Sequence, residues 1–282
     1  MEPQSAIDYE ERGASAVIAV LLEIGQVLGA FRERFVIIGG AVPWLLLPNA
    51  RPAHIGTLDV DLSLDPSALG DAEYVGLVEA LEASGYERGE KFGLRPFQLR
   101  RLVPAADGEH IPVIVDLLMP RESQFTRNKP PILANFAVLK ADGATIAMQD
   151  NVSHLLEGFM PDGRKNRVEL RVASIASFLV MKGYALAGRD KRKDAYDIYF
   201  SIRNYEGGQA ALARNCKVLM ADPVALKGYQ NIAEKFRAPD DFGPATVREF
   251  LAQSQGLGDM TPEQVQTDAF GQVAAWIRSM EL

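Results

Sequence analysis

The sequence predicts a mixed α/β (α+β) protein: a sheet flanked by helices, followed by a mainly helical C-terminal half. Three observations carry this prediction. Short apolar runs at residues 35–38, 58–64 and 111–118 have the length of buried strands and are bounded by turn residues. Segments before and between them repeat their apolar residues at helical spacing. From Ser174 onward the periodicity is helical, with Ser174, Pro223 and Pro262 at positions suited to helix starts.

The first helix is expected over residues 16–31, where Val17, Val20, Leu21, Ile24, Val27, Leu28 and Phe31 share a stripe, after a frayed polar segment at residues 1–13. The run 35–38 ends in Gly39-Gly40, a tight turn into a short helix over 41–47. A second strand follows at 58–64, then a helix at 74–83 with Val75, Val78 and Leu81 on one side. Residues 97–103 read as a strand with Arg100 and Arg101 on opposite faces. The next strand is 111–118. Residues 132–148 read as two apolar segments around Ala141-Asp142-Gly143, a hairpin signal, and 160–165 as a loop before a strand at 167–172. These elements divide into a domain at 1–160 and a helical one at 161–282. In the latter, Gly188 ends one helix, Asp190 caps the next, and further helices lie at 209–220, 223–236, 245–252 and 262–280, with Trp276 in the core.

Composition narrows the function classes. The chain has 282 residues, 48% of them hydrophobic and 24% charged, which is ordinary for a globular protein. No apolar run approaches the roughly 20 residues of a membrane span, so a cytoplasmic protein with no membrane partner is expected. The single cysteine, Cys216, excludes an intrachain disulfide and a multi-cysteine zinc site. His54, His110 and His154 are scattered and read as loop or surface residues. A net charge of -7 argues against strong non-specific nucleic-acid binding. Basic islands at Arg88 to Arg101, at Arg121, Arg127 and Lys129, and at Arg164 to Arg171 leave room for a local grip on a nucleotide or an RNA end.

Chemistry concentrates at the second strand. Asp59 and Asp61 are two residues apart and share one face, with Leu58, Val60 and Leu62 on the other. Two adjacent carboxylates repel each other and are better accommodated around a divalent cation, and a glycine turn at a nearby helix start can hold phosphate. Asp116 interrupts an otherwise apolar strand, which requires that its charge be compensated.

Gly39, Gly40, Asp59 and Asp61 together resemble the signature of the nucleotidyltransferase superfamily related to DNA polymerase beta, a glycine turn followed by an Asp-x-Asp strand. The resemblance implies a nucleotidyltransferase-type mixed sheet and makes Asp116 the third carboxylate. A second stretch narrows it: Lys182, Arg189, Lys193, Asp194 and Asp197, spaced K-x6-R-x3-KDxxD, resemble the C-terminal motif of the AbiEii family, toxins of bacterial toxin-antitoxin pairs. Read without the resemblance, such charges are usually the wet side of an amphipathic helix, and four polar groups around one interhelix turn can also close over a triphosphate. The likeness spans roughly residues 34–205. Ile55 stands where family members often carry an arginine, and Arg51 or His54 is the candidate substitute.

The resemblance implies transfer of a nucleoside monophosphate from an NTP to an acceptor hydroxyl. Asp59, Asp61 and Asp116 would hold Mg²⁺ or Mn²⁺, with Asp116 binding the second metal or accepting the hydroxyl proton. Gly39, Gly40 and Thr57 would bind nucleotide. Lys182, with Arg189 or Lys193, would neutralise phosphate, and Asp194 or Asp197 would complete the site. An RNA, in particular a tRNA 3′ end, leads as acceptor, ahead of a protein hydroxyl or a small molecule, and a cognate antitoxin is the implied partner. The alternative is a non-catalytic nucleotide- or partner-binding protein on a degenerate nucleotidyltransferase fold. A metal-dependent phosphohydrolase comes third, because its ligand set calls for more histidines or carboxylates than this chain places together.

Overall fold

Helix α1 (Glu11–Val27) lays Val17, Val20, Leu21 and Ile24, all fully buried, against strands of the sheet, and a 3₁₀ segment (Gly29–Arg34) leads on to strand β1 (Phe35–Ile38). The computed structural model describes residues 11–67, 71–105, 108–121, 137–252 and 257–282. Of the frayed start expected at residues 1–13, residues 1–10 lie outside the described residues, as do Arg127, Lys129 and residues 132–136, while residues 11–13 are already helical. After β1 come α2 (Ala41–Leu46), β2 (Asp59–Leu64), α3 (Asp71–Ala83), β3 (Glu87–Arg88), β4 (Gln98–Pro104) and β5 (His110–Pro120). They are followed by β6 (Leu139–Ala141), α4 (Ala144–Gln149), β7 (Asn151–Phe159) and β8 (Lys165–Ala173).

These strands form one mixed sheet in the order β3-β4-β5-β2-β1-β8-β7, with β6 paired to the end of β5. β1 runs antiparallel to β2 and parallel to β8, while β2 runs parallel to β5. All four residues of β1 are buried, as its unbroken apolar run requires. Close packing of α1 on the sheet depends on Gly25, where an added Cβ would come within 2.8 Å of Val168. Glu23 of α1 receives a bidentate pair from Arg101 of β4 (2.7 and 2.9 Å). Arg100, on the other face, pairs with Glu87.

The expected hairpin around Ala141-Asp142-Gly143 is replaced by a strand-to-helix turn. Gly143 sits in the left-handed region (φ 75°) at the N-cap of α4, and β6 runs parallel to β5. Its glycine serves a helix start, and the apolar residues beyond it, Ala144, Ile146 and Ala147, are buried helical ones. Strand β7 has no counterpart in the sequence reading, because Leu155-Leu156 breaks the alternation that marks a strand. The turn Met160–Arg164, with Gly163 at φ 80°, joins it to β8.

The second half is helical: α5 (Ile175–Gly188), α6 (Arg192–Arg203), α7 (Gly208–Leu219), α8 (Pro223–Lys235), α9 (Phe242–Leu251) and α10 (Pro262–Met280). Ser174 caps α5, Asp222 caps α8 ahead of Pro223, and Thr261 with Gln264 forms a capping box on α10. Asp190 is not a cap: Lys191 holds that position on α6 and makes no side-chain bond to it. Trp276 is fully buried, edge-on to Tyr229 at 5.7 Å. Helices α5 and α8 cross at Gly183 and Gly228, where a Cβ on Gly183 would lie 1.9 Å from the Gly228 carbonyl oxygen.

The chain divides into two compact units. One holds Glu11–Ala41 and Gly56–Ala173, the sheet and its helices; the other holds Val42–Ile55 and Ser174–Leu282. Among the described residues no helix is long and apolar enough to cross a membrane.

Candidate active site

Within the sheet unit the acidic positions lie side by side. Register places Ile38 of β1 opposite Asp61 of β2, Asp61 beside Asp116 of β5, and Asp116 opposite Gln98 of β4. Adjacent strands lie about 4.8 Å apart, so this transverse row sets two carboxylates next to each other on one face. Asp59, two residues before Asp61, shares that face beside Ile114. Val60, Leu62, Val115 and Leu117 point the other way and are buried.

Gly39 explains the glycine turn in atomic terms. Its φ of +71° is a conformation that L side chains rarely adopt, and a Cβ there would lie 1.8 Å from the Asp61 Oδ2 and 2.7 Å from its Cγ. The turn therefore backs directly onto the Asp61 carboxylate. Gly40 is buried in the same turn before α2. The Thr57 hydroxyl donates to the Asp59 Oδ1 (2.5 Å), and the Gln98 amide donates to the Asp116 Oδ1 (2.9 Å).

A divalent cation is implied by the motif. Carboxylate oxygens are the donors that hard cations such as Mg²⁺ or Mn²⁺ take, and the register puts all three acids on one face. Among the described residues no three His, Cys, Asp or Glu side chains converge as a closed ligand set. Asp59 and Asp116 instead accept the hydrogen bonds from Thr57 and Gln98.

Within the helical unit a second charged cluster forms between α5, α6 and the segment at 48–55. Lys182 of α5 places its Nζ 2.6 Å from Asp194 Oδ1 and 2.7 Å from Asp197 Oδ2. Lys193 donates to both oxygens of Asp197 (2.8 and 3.1 Å). Arg189 grips Asp194 bidentately (2.7 and 3.0 Å). Both aspartates have no exposed surface, and Lys182 and Lys193 are buried, whereas the Arg189 side chain is 54% exposed. The expectation of a wet helix face is thus overturned: KDxxD is the interior of the unit.

His54 completes this cluster from a loop, one of the two settings expected for it, and not from the surface. It is buried, its Nε2 lies 3.0 Å from Asp197 Oδ1, and its ring stacks on Tyr196 and meets Phe200 edge-on. The neighbouring Ile55 N–H donates to the Tyr196 hydroxyl (3.3 Å). No local pattern marks His54, because its partner lies 143 residues away in sequence.

The charges explain the titration. Burial pushes the Asp197 carboxyl up, but Lys182 and Lys193 outweigh it and hold the group well below the usual carboxylate range. Burial likewise opposes ionisation of Asp194, and Lys182 and Arg189 overcome it. Lys182 is raised, because Asp194 and Asp197 prevail over its desolvation. Burial lowers His54 to about 4 despite its bond to Asp197, with Lys193 and Lys182 adding to the drop. A neutral His54 beside an ionised Asp197 donates its Nε2–H, which fixes the tautomer.

The sheet and its acidic row define a carboxylate site on a mixed α/β fold behind a glycine turn. A scan against models of protein families matches none of them, and a search of curated proteins returns no match. Among solved structures the chain is similar to JHP933 from Helicobacter pylori, with a TM-score of 0.48 and 11% identity over 96% of this chain and 94% of that one. It is also similar to an antigenic nucleotidyltransferase-like protein from Paracoccidioides brasiliensis, with a TM-score of 0.45 and 16% identity over 80% of this chain and 89% of that one.

Proposed function

We propose that the protein is a metal-dependent nucleotidyltransferase that moves a nucleoside monophosphate from an NTP to an acceptor hydroxyl. The observation that carries this reading is the seat of Asp61: its carboxylate fills the space a side chain at Gly39 would need, and Asp116 stands beside it in register. A glycine turn and two neighbouring carboxylates so fitted to each other suit phosphate approach and a hard cation better than a solvated strand face.

Asp59, Asp61 and Asp116 would hold the cation, which when bound supplies charge neutralisation at the triphosphate oxygens. Gly39 and Gly40 let the backbone come close to phosphate. Asp116 accepts the proton of the attacking hydroxyl as the new oxygen–phosphorus bond forms and the bond to pyrophosphate breaks. In the helical unit, Lys182, Lys193, Asp194 and Asp197 act within their cluster and hold Arg189, a half-exposed cation suited to phosphate. The acceptor we favour is an RNA, in particular a tRNA 3′ end, and the biological role a toxin held by a cognate antitoxin, both supported by the likeness of the Lys182–Asp197 stretch to the AbiEii motif.

The test is incubation of purified protein with each labelled NTP, Mg²⁺ and total RNA, followed by identification of the labelled species. Asp59→Ala and Asp61→Ala should each reduce transfer to background with the circular dichroism spectrum unchanged. Retained transfer in both would end the proposal. The binding-only alternative is favoured by the hydrogen bonds from neutral donors that already engage Asp59 and Asp116. It predicts no Mg²⁺-dependent heat on NTP titration.

A further inference from the structure

Strand β7 is the outer strand of the sheet. It pairs without a break with β8, from Asn151 opposite Ala173 to Phe159 opposite Lys165, and among the described residues no strand pairs with its other edge. The turn shows which backbone groups line that edge. The Met160 N–H donates to the Arg164 carbonyl (2.9 Å) and the Gly163 N–H to the Met160 carbonyl (2.9 Å), so Met160 is a hydrogen-bonded position facing β8. Antiparallel ladders alternate, so Gly158, Leu156, His154 and Val152 also turn their backbone groups to β8. Asn151, Ser153, Leu155, Glu157 and Phe159 turn theirs outward.

Exposed edges are ordinarily guarded by lysine, proline or a bulge. β7 has no lysine and no proline, its register with β8 shows no bulge, and Glu157 is its one charged residue. Val152, Leu155 and Phe159 are 40%, 48% and 63% exposed. Among the described residues this leaves a long, weakly charged edge with no strand paired to it.

The outward set is symmetric about Leu155, the midpoint of the strand. A two-fold axis through Leu155 sets Leu155 against Leu155, Ser153 against Glu157 and Asn151 against Phe159, each of the latter two pairs occurring twice. Every outward N–H then faces an outward carbonyl. The strand's one charge meets a hydroxyl instead of a like charge, and it keeps Arg167 as its neighbour on β8 (2.9 Å). The strand is therefore its own complement, which an isologous contact between identical chains requires.

We propose that β7 is the interface of a homodimer, in which the sheets of two copies join through antiparallel β7–β7 pairing centred on Leu155. Sedimentation velocity of the full chain from low to high micromolar concentration tests it, beside Leu155→Lys and the control Val218→Lys on the exposed side of α7. The wild type and Val218→Lys should dimerise. Leu155→Lys sets two ammonium groups against each other at the axis and should raise the dissociation constant by about 100-fold. Hydrogen exchange on the wild type needs no variant: the Ser153, Leu155 and Glu157 amides should be protected at high concentration and lose that protection on dilution. A wild type that stays monomeric with these amides exchanging freely, or a dimer that Leu155→Lys leaves intact, would overturn the proposal.

Discussion

The two charged clusters solve opposite problems. In the sheet unit, carboxylates stand side by side on a partly exposed face, and the partners of Asp59 and Asp116 there are the neutral donors Thr57 and Gln98. In the helical unit, carboxylates are fully buried, and three cations and a neutral histidine close around them. The first arrangement sets carboxylates of neighbouring strands in one transverse row. The second neutralises its charge internally and leaves Arg189 as its half-exposed member. The KDxxD motif is in this sense an architectural feature, and Arg189 beside it is the member of the cluster that reaches solvent.

Asp61→Asn should remove transfer activity to background while leaving Tm unchanged or slightly higher, since it relieves repulsion with Asp116. Asp197→Ala should do the reverse to stability. It takes from Lys193 the carboxylate it holds and leaves Lys182 with Asp194, and breaking such buried pairs costs about 3–5 kcal/mol, readable as a fall in the urea midpoint. A stable Asp197→Ala would erase the distinction between the clusters.

His54 titrates at about 4 when folded and near 6.5 unfolded, so the unfolded chain binds more protons between those values. Stability should therefore fall as pH drops from about 6.5 to 4, by up to about 3 kcal/mol, the equivalent of that displacement. Asp197, depressed in the folded state, withdraws its own contribution only below about pH 4. His54→Gln should flatten the upper window and leave the lower one, which denaturation midpoints across pH would reveal.

Smaller effects test the sheet. Gly39→Ala places a Cβ against the Asp61 carboxylate at positive φ, and should cost about 1–3 kcal/mol. It should also displace Asp61 and depress transfer more than its stability loss explains. Gln98→Leu removes one hydrogen bond from a neutral donor to the Asp116 carboxylate and should cost about 1.5 kcal/mol. If Gln98→Leu proved as costly as Asp197→Ala, Asp116 would belong to a closed network like that of the helical unit.

Much of the architecture was legible in the chain. The runs 35–38 and 111–118 gave β1 and β5, and the helix starts at Ser174, Pro223 and Pro262 were correct, because caps and apolar periodicity are local signals. β7 was missed for want of alternation, and Gly143 was assigned to a hairpin because a glycine turn looks the same before a helix as before a strand. Of the candidate site, Asp59, Asp61 and Gly39 stood out through spacing. Gln98 and His54 did not, since each acts through a partner far along the chain.

The sequence by itself determined which residues alternate, where helices begin and which acids share a strand face, all consequences of backbone geometry over a few residues. Only the tertiary structure decided that Asp61 lies beside Asp116, that Gly39 is shaped to the Asp61 carboxylate, and that Asp194 and Asp197 face inward. Strand register and burial depend on contacts between segments distant in the chain, and a charge on a helix reads the same whether water or a buried lysine compensates it.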